Sequence, residues 1–193
     1  MAVTKTHPFE AIESALKNNI INIGENKVQE TEKKIKNKKL PSHLRLHFIG
    51  NLQRNKAKKA VSIYDYIQTV DSIGLAEKIN SSARDIQKTQ KVFLQINIAD
   101  KKDKKGFLTS EIISASEKIK QHKNIVIKGV MILPPITKDK KVYIDYFKKA
   151  RKIKEEIQNK NPECKSLSMG MSGDYIEAIK EGATHIRIGT ALF

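Results

Sequence analysis

The chain has 193 residues, of which 37 are lysine or arginine and 21 are acidic, giving a net charge of +16. This length is sufficient for one sizeable core, so we expect a single domain over residues 1–193, and no apolar run of about 18 residues is present that could span a membrane. Cys164 is the only cysteine, which excludes an internal disulfide, and nothing at the N-terminus resembles a signal peptide, so we expect a cytoplasmic protein.

Apolar or β-branched segments alternate with amphipathic helical segments along the whole chain. The predicted strands, in order, span residues 2–4, 20–23, 46–49, 66–70, 92–98, 127–133, 166–169 and 185–188. Strict alternation of strand and helix predicts a parallel sheet that is covered on both faces, and eight such units fit a closed (β/α)8 TIM barrel better than an open doubly wound sheet. In that fold the functional residues stand at the C-terminal strand ends, and phosphate commonly binds after strands seven and eight.

Lys5 directly follows the first predicted strand. A lysine near a chain terminus is ordinarily a solvated surface charge. A position at a strand end instead favours a functional amine, since desolvation there favours the neutral form that reacts with an aldehyde. We therefore interpret Lys5 as a candidate Schiff-base former.

Two polar residues at or near the second and third strands allow alternative interpretations. Asn26 follows Gly24 and Glu25, where it caps the next helix or contacts a ligand at the barrel mouth. His47 alternates with apolar neighbours in its strand, which favours a satisfied core histidine over an acid or base. The histidines show no metal-ligand spacing, so we expect no metal site.

The last two strands end in small and hydroxylated residues. Met171 and Ser172 end strand seven, and Gly189 and Thr190 end strand eight, which together predict a phosphate site built from hydroxyls and unhindered amides. A short helix starting near residue 173 is expected to face the same place. A reactive lysine combined with a phosphate site points to pyridoxal 5′-phosphate (PLP) as the cofactor.

Arg187 lies within the otherwise apolar eighth strand. Strand alternation places it on the barrel-facing side, where it donates a hydrogen bond to a ring nitrogen or pairs with a core carboxylate. Because an arginine does not give up its proton, a pyridine nitrogen facing it stays unprotonated, and the cofactor becomes a poor electron sink.

The excess positive charge alone suggests a polyanionic partner. However, lysines are spread over nearly every predicted helix beside acidic residues, and aromatic residues do not interleave with them, so solvated helix faces explain the charge and we expect no specific nucleic-acid partner. The lysine-rich segment at residues 101–106 is the local exception, and it is either an anion-attracting element or an ordinary surface loop.

Five separated segments resemble the pyridoxal phosphate homeostasis proteins, in the right order and from end to end. They are AVTKT (2–6), GENKVQE (24–30), HFIGNLQRNK (47–56), LSMGMS (167–172) and RIGT (187–190). The resemblance implies a barrel like the N-terminal domain of alanine racemase, with PLP bound to Lys5 as an internal aldimine. It further implies that Arg187 faces the ring nitrogen and that Ser172, Gly189 and Thr190 hold the phosphate.

Members of this family are regarded as monomeric carriers or regulators of the cofactor without an established reaction. The resemblance therefore implies a role in vitamin B6 homeostasis, with PLP-dependent apo-enzymes as possible recipients. The alternatives are a PLP-dependent amino-acid racemase and a nucleic-acid-associated protein. The sequence shows no second domain to supply the opposing tyrosine base that racemases use, which counts against the first alternative.

The chain departs from the family pattern at both ends. A helix normally precedes the lysine strand, and glycine and basic residues normally follow the position of Phe193. Without that helix we expect the outward faces of Val3, Ile186 and Ile188 to be uncovered, and we expect this form to self-associate.

Overall fold

The computed structural model describes residues 1–137 and 139–193, and its strands form one sheet. The strands are β1 (Ala2–Val3), β2 (Asn22–Glu25), β3 (Arg45–Phe48), β4 (Tyr66–Val70), β5 (Gln90–Asn97), β6 (Phe107–Leu108), β7 (Ile125–Ile132), β8 (Ser166–Met171) and β9 (His185–Arg187). All eight predicted strands are present. β6 was not predicted, and it is a two-residue strand that pairs only with β5.

Helices follow most of the strands. They are α1 (Phe9–Lys17), α2 (Val28–Ile35), α3 (Ala57–Ile63), α4 (Ile73–Asp85), α5 (Ile112–Lys120), α6 (Lys140–Lys160) and α7 (Tyr175–Lys180), with a 3-10 turn at Arg54–Lys56 before α3. Most of them bury a stripe of apolar side chains, such as Phe147, Ala150 and Ile157 of α6. None of the helices in the described ranges is long and apolar enough to cross a membrane.

The strand order β1-β2-β3-β4-β5-β7-β8-β9, with every pair parallel, confirms the predicted barrel. A parallel bridge between Ala2 and Ile188 joins the first strand to the end of the last. The Val3 amide donates to the Ile188 carbonyl at 2.8 Å, and the Ile188 amide donates to the Met1 carbonyl at 3.1 Å. This closure brings the N-terminal lysine turn beside the ends of β8 and β9.

The packing around β1 differs from the expectation in one respect. Val3 was expected on an uncovered outward face, but its side chain is buried and lines the cavity at the barrel mouth. The expectation for Val3 is therefore wrong. Ile186 and Ile188 are half-buried.

Candidate functional site

A cavity of about 580 Å³ opens at the C-terminal ends of the strands, between β1, β2, β3, β8 and β9. Small-molecule sites in proteins typically have volumes of this order. All seven candidate residues identified in the sequence line it: Lys5, Asn26, Met171, Ser172, Arg187, Gly189 and Thr190. Thr6, His7 and Phe193 also line the cavity, and no pattern in the sequence marked them as site residues.

Lys5 lies in a tight turn that begins where β1 ends. The His7 amide donates to the Thr4 carbonyl at 3.1 Å, which closes the turn, and Thr6 adopts a φ of 66°. A positive φ is unusual for a β-branched residue, so the turn imposes backbone strain next to the lysine. The Lys5 side chain is exposed, so the desolvation expected from the sequence is not provided by the described protein atoms.

A buried ion pair between Glu25 and Lys34 is hydrogen-bonded to this turn at Thr4. The Glu25 carboxylate accepts hydrogen bonds from the Thr4 hydroxyl at 2.6 Å and from the Lys34 ammonium at 2.5 Å. Lys34 also donates to the Thr4 carbonyl at 2.8 Å. The side chains of Glu25 and Lys34 are only 1% and 9% exposed. The hydroxyl and the carbonyl of Thr4 are thereby fixed one residue before Lys5.

The opposite wall of the cavity is formed by the ends of β8 and β9, where Met171 pairs with Arg187. Ser172 and Thr190 are exposed, and a Cβ added at Gly173 would meet no atom within 4 Å, so an anion can approach this backbone closely. The Met171 amide is not available to a ligand, because it donates to the Asp174 carboxylate at 2.5 Å. The predicted helix is present as the six-residue α7.

Arg187 is buried, with 5% exposure, and reaches the cavity wall. Its guanidinium donates to the Ser168 hydroxyl at 2.7 Å and to the Ile132 carbonyl at 2.8 Å. Burial lowers the pKa of Arg187 to about 10, so the group remains charged at neutral pH. These partners are neutral oxygens, and within the described ranges no carboxylate forms an ion pair with Arg187, contrary to the carboxylate-paired alternative.

Asn26 does not cap the following helix. The N-cap of α2 is Lys27, and no side-chain hydrogen bond caps that helix. The Asn26 Oδ1 atom is buried and has no hydrogen-bond partner among the described residues. The helix-capping interpretation is therefore wrong, and Asn26 instead lines the cavity. Gly50 packs against this residue so closely that a Cβ would lie 2.0 Å from the Asn26 carbonyl oxygen.

His47 is fully buried, and both of its ring nitrogens are hydrogen-bonded, at 2.9 Å each, to Gln68 and Asn22. It also stacks on Tyr66, with ring centroids 4.5 Å apart. The interpretation of His47 as a satisfied core histidine is confirmed. Burial, reinforced by the nearby His185, lowers its pKa to about 3.

This lowered pKa predicts a loss of stability in mild acid. Below about pH 6.5 the unfolded chain protonates His47 while the folded chain does not, so the free energy of unfolding falls as the pH drops towards 3. We expect His47 to contribute about 2 kcal/mol of destabilisation between pH 7 and pH 5. Urea unfolding of the wild type and of His47→Gln at pH 7 and at pH 5 gives the change in the free energy of unfolding for each protein. The difference between the two changes is the contribution of His47. Equal changes in the two proteins would contradict the prediction.

A second cavity, of about 410 Å³, adjoins the first and shares Ile49, Gly50, Asn51 and Leu133 with it. Lys104 and Lys105 of the lysine-rich loop border this cavity. Two polar side chains of its wall are engaged in the fold: Gln95 donates to the Lys105 carbonyl, and Asn97 donates to the Lys101 carbonyl. Among the described residues, no group of histidine, cysteine and acidic side chains is arranged to hold a metal ion.

Comparison with known proteins identifies the class to which this fold and cavity belong. The family model for the alanine racemase N-terminal domain matches residues 1–193. A pyridoxal phosphate homeostasis protein of Vibrio alginolyticus is 34% identical, and the match covers the whole chain and 84% of that relative. The chain belongs to this family.

The solved structures of PipY from Synechococcus elongatus are similar throughout. PipY without PLP is 36% identical with a TM-score of 0.93, over all of this chain and 90% of PipY. PipY with PLP bound is 35% identical with a TM-score of 0.89, over all of this chain and 91% of PipY. The backbone described above is therefore a barrel geometry that is also found with the cofactor in a relative.

Proposed function

We propose that this chain binds PLP, holds it covalently through Lys5, and serves intracellular vitamin B6 homeostasis without a robust reaction of its own. The observation that carries the proposal is the convergence of Lys5, Arg187 and the strand-end residues of β8 and β9 on one cavity. Lys5 lies more than 160 positions before the other residues in the sequence, and closure of the barrel between Ala2 and Ile188 brings it beside them.

The cavity offers partners for three polar parts of the cofactor, which are its phosphate, its ring nitrogen and its aldehyde. Ser172, Gly173, Gly189 and Thr190 offer hydroxyls and open backbone to the phosphate, and Lys5 and Arg187 supply positive charge. Arg187 has N–H groups beyond the two that are bonded to Ser168 and Ile132, and these can donate to the ring nitrogen. Asn26 also lines the cavity, and its buried, unpartnered Oδ1 would accept a hydrogen bond from the ligand once the amide turns towards the cavity. The match of PipY, whose structure contains PLP, also supports this assignment.

The lining residues favour binding over catalysis. PLP supplies an electron sink for carbanion chemistry when its ring nitrogen is protonated. Arg187 remains a donor at that position and therefore keeps the nitrogen unprotonated. Among the described residues that line this cavity there is no tyrosine, so the opposing tyrosine base that racemases use is not among them.

The exposed position of Lys5 is consistent with a carrier. Condensation of the lysine amine with the cofactor aldehyde forms a carbon–nitrogen double bond and releases water, and the bond is reversible. Because the Lys5 side chain is accessible, the bound cofactor can be passed to another amine, such as the lysine of a PLP-dependent apo-enzyme. The single, buried Cys164 needs no oxidising compartment, which agrees with a cytoplasmic location.

Absorbance spectroscopy and peptide mapping test the proposal. The purified protein, incubated with PLP and desalted, should show the absorbance of a lysine-bound cofactor, and borohydride reduction should fix the label on Lys5. A panel of amino acids assayed for racemisation should show no robust turnover. Absence of bound cofactor would refute the proposal, and rapid racemisation would favour the racemase alternative.

A further inference from the structure

A chain of polar side chains crosses the barrel interior from the cofactor cavity to the opposite end. Arg187 donates to Ser168 Oγ at 2.7 Å, and Ser168 Oγ donates to Gln68 Oε1 at 2.7 Å. Gln68 Nε2 bonds His47 Nδ1 at 2.9 Å, and His47 Nε2 bonds Asn22 Oδ1 at 2.9 Å. Ser168, Gln68 and His47 are fully buried. Arg187 ends β9 at the mouth, whereas Asn22 begins β2 at the floor.

Because Arg187 can only donate, it determines which group donates and which accepts in every hydrogen bond of this network. A guanidinium only donates, so Ser168 Oγ must accept from Arg187, and its single proton is left for Gln68. Gln68 therefore presents its carbonyl oxygen to Ser168 and its NH2 group to His47. His47 must then accept at Nδ1 and carry its proton on Nε2, which donates to Asn22.

This hydrogen-bond network also fixes the charge state of His47. A protonated His47 would place a second N–H against the NH2 group of Gln68, and burial already holds the pKa of His47 near 3. The four hydrogen bonds thus form together in only one set of directions. Buried networks of this kind rigidify the groups at their ends.

We propose that Ser168, Gln68 and His47 are positioning residues that fix the orientation of Arg187 towards the cavity, and that Arg187 in turn sets the tautomer of His47. The first half rests on the proposed function, because Arg187 is assigned there to the cofactor ring. The second half does not depend on the cofactor. Gln68 and His47 make no contact with the cavity, so their effect on a ligand must pass through Ser168 and Arg187.

The ¹⁵N chemical shifts of the His47 ring, measured without cofactor, test the direction of the chain. The wild type should show His47 protonated on Nε2 only. In Arg187→Met the Ser168 oxygen is free to accept from Gln68, the amide can turn over, and a population with the proton on Nδ1 should appear. An Nδ1-protonated wild type, or a tautomer that Arg187→Met leaves unchanged, would overturn the inference.

PLP binding tests the positioning role. Gln68→Met keeps the volume of the side chain but cuts the network, and we expect it to weaken PLP binding about tenfold, with a shifted absorbance of the bound cofactor. The same substitution made in the Arg187→Met background should have no further effect on binding. Ile67→Val, a buried change on the same strand outside the network, controls for general loosening of the barrel.

The two hypotheses fail in different ways. If the wild type does not bind PLP, the proposed function is wrong. The His47 tautomer still shows whether Arg187 sets the directions of the hydrogen bonds in the network. If PLP binds but Gln68→Met weakens it equally with and without Arg187, the positioning role is wrong and the proposed function stands.

Discussion

Replacing Lys5 by alanine should abolish the covalent attachment of PLP completely and leave a weaker noncovalent complex. The reason is the separation of the two contacts: the amine lies on the turn after β1, whereas the phosphate-binding residues lie on the ends of β8 and β9. The backbone at Gly173 and the hydroxyls of Ser172 and Thr190 are unchanged by the substitution. Mass spectrometry after borohydride reduction measures the covalent fraction, and equilibrium dialysis measures the remaining binding.

Lys27→Ala is the matched control, because Lys27 is also an exposed lysine beside the cavity residue Asn26. It should retain full labelling of Lys5. Labelling of Lys34 or of another lysine in the Lys5→Ala protein would show that the reactive amine had been assigned to the wrong residue. Complete loss of noncovalent binding would show that the phosphate contacts do not hold the cofactor on their own.

The strands could be predicted from the sequence because each is a short apolar or β-branched run bounded by polar residues. The same reasoning missed β6, since Phe107 and Leu108 form a strand only through pairing with Ile96 and Asn97. Gly106, with a φ of 118°, makes this close approach possible, because a Cβ there would lie 2.6 Å from the Asn97 amide nitrogen. A strand of two residues is too short to show an alternation of apolar and polar side chains, so no sequence pattern could indicate β6.

The candidate site could be predicted from the sequence to the extent that the barrel topology brings strand ends together. Lys5, Arg187 and Thr190 could be grouped because each follows or ends a strand of the same barrel. The partners of Arg187 could not be predicted in this way. Ser168 and Gln68 are 100 positions apart and meet inside the barrel, so their hydrogen bond depends on the register of β4 and β8. The two conformational details at Lys5, its exposure and the strained Thr6, likewise depend on the turn geometry.

The residues beneath Lys5 lead to the second large expected effect. Glu25 and Lys34 form an ion pair whose side chains are almost completely buried. Removing one partner of such a pair leaves an uncompensated buried charge, so we expect Glu25→Gln to lower the free energy of unfolding by about 3 kcal/mol. For a domain of this size that corresponds to a fall in melting temperature of roughly 10 °C. Urea and thermal unfolding measure the two quantities.

Glu30→Gln is the matched control, because Glu30 lies on α2, the helix that also carries Lys34. Glu30 pairs with Lys27 at the surface, where the two side chains are 43% and 61% exposed, so its loss should change the stability by less than about 1 kcal/mol. The double variant Glu25→Gln with Lys34→Met should be less destabilised than the sum of the single variants, because the second change removes the unpaired charge. Additive effects would contradict a coupled pair.

The same pair should also affect the chemistry at Lys5. Lys34 donates to the Thr4 carbonyl that closes the lysine turn, and Glu25 accepts from the Thr4 hydroxyl. In Glu25→Gln the Lys34 ammonium loses its anionic partner, so the turn is held less firmly and the amine spends less time facing the cavity. We therefore expect slower covalent attachment of PLP at a temperature where the variant is still folded, whereas Glu30→Gln should react at the wild-type rate. Stopped-flow absorbance measures both rates, and an unchanged rate in Glu25→Gln would limit the role of the ion pair to stability.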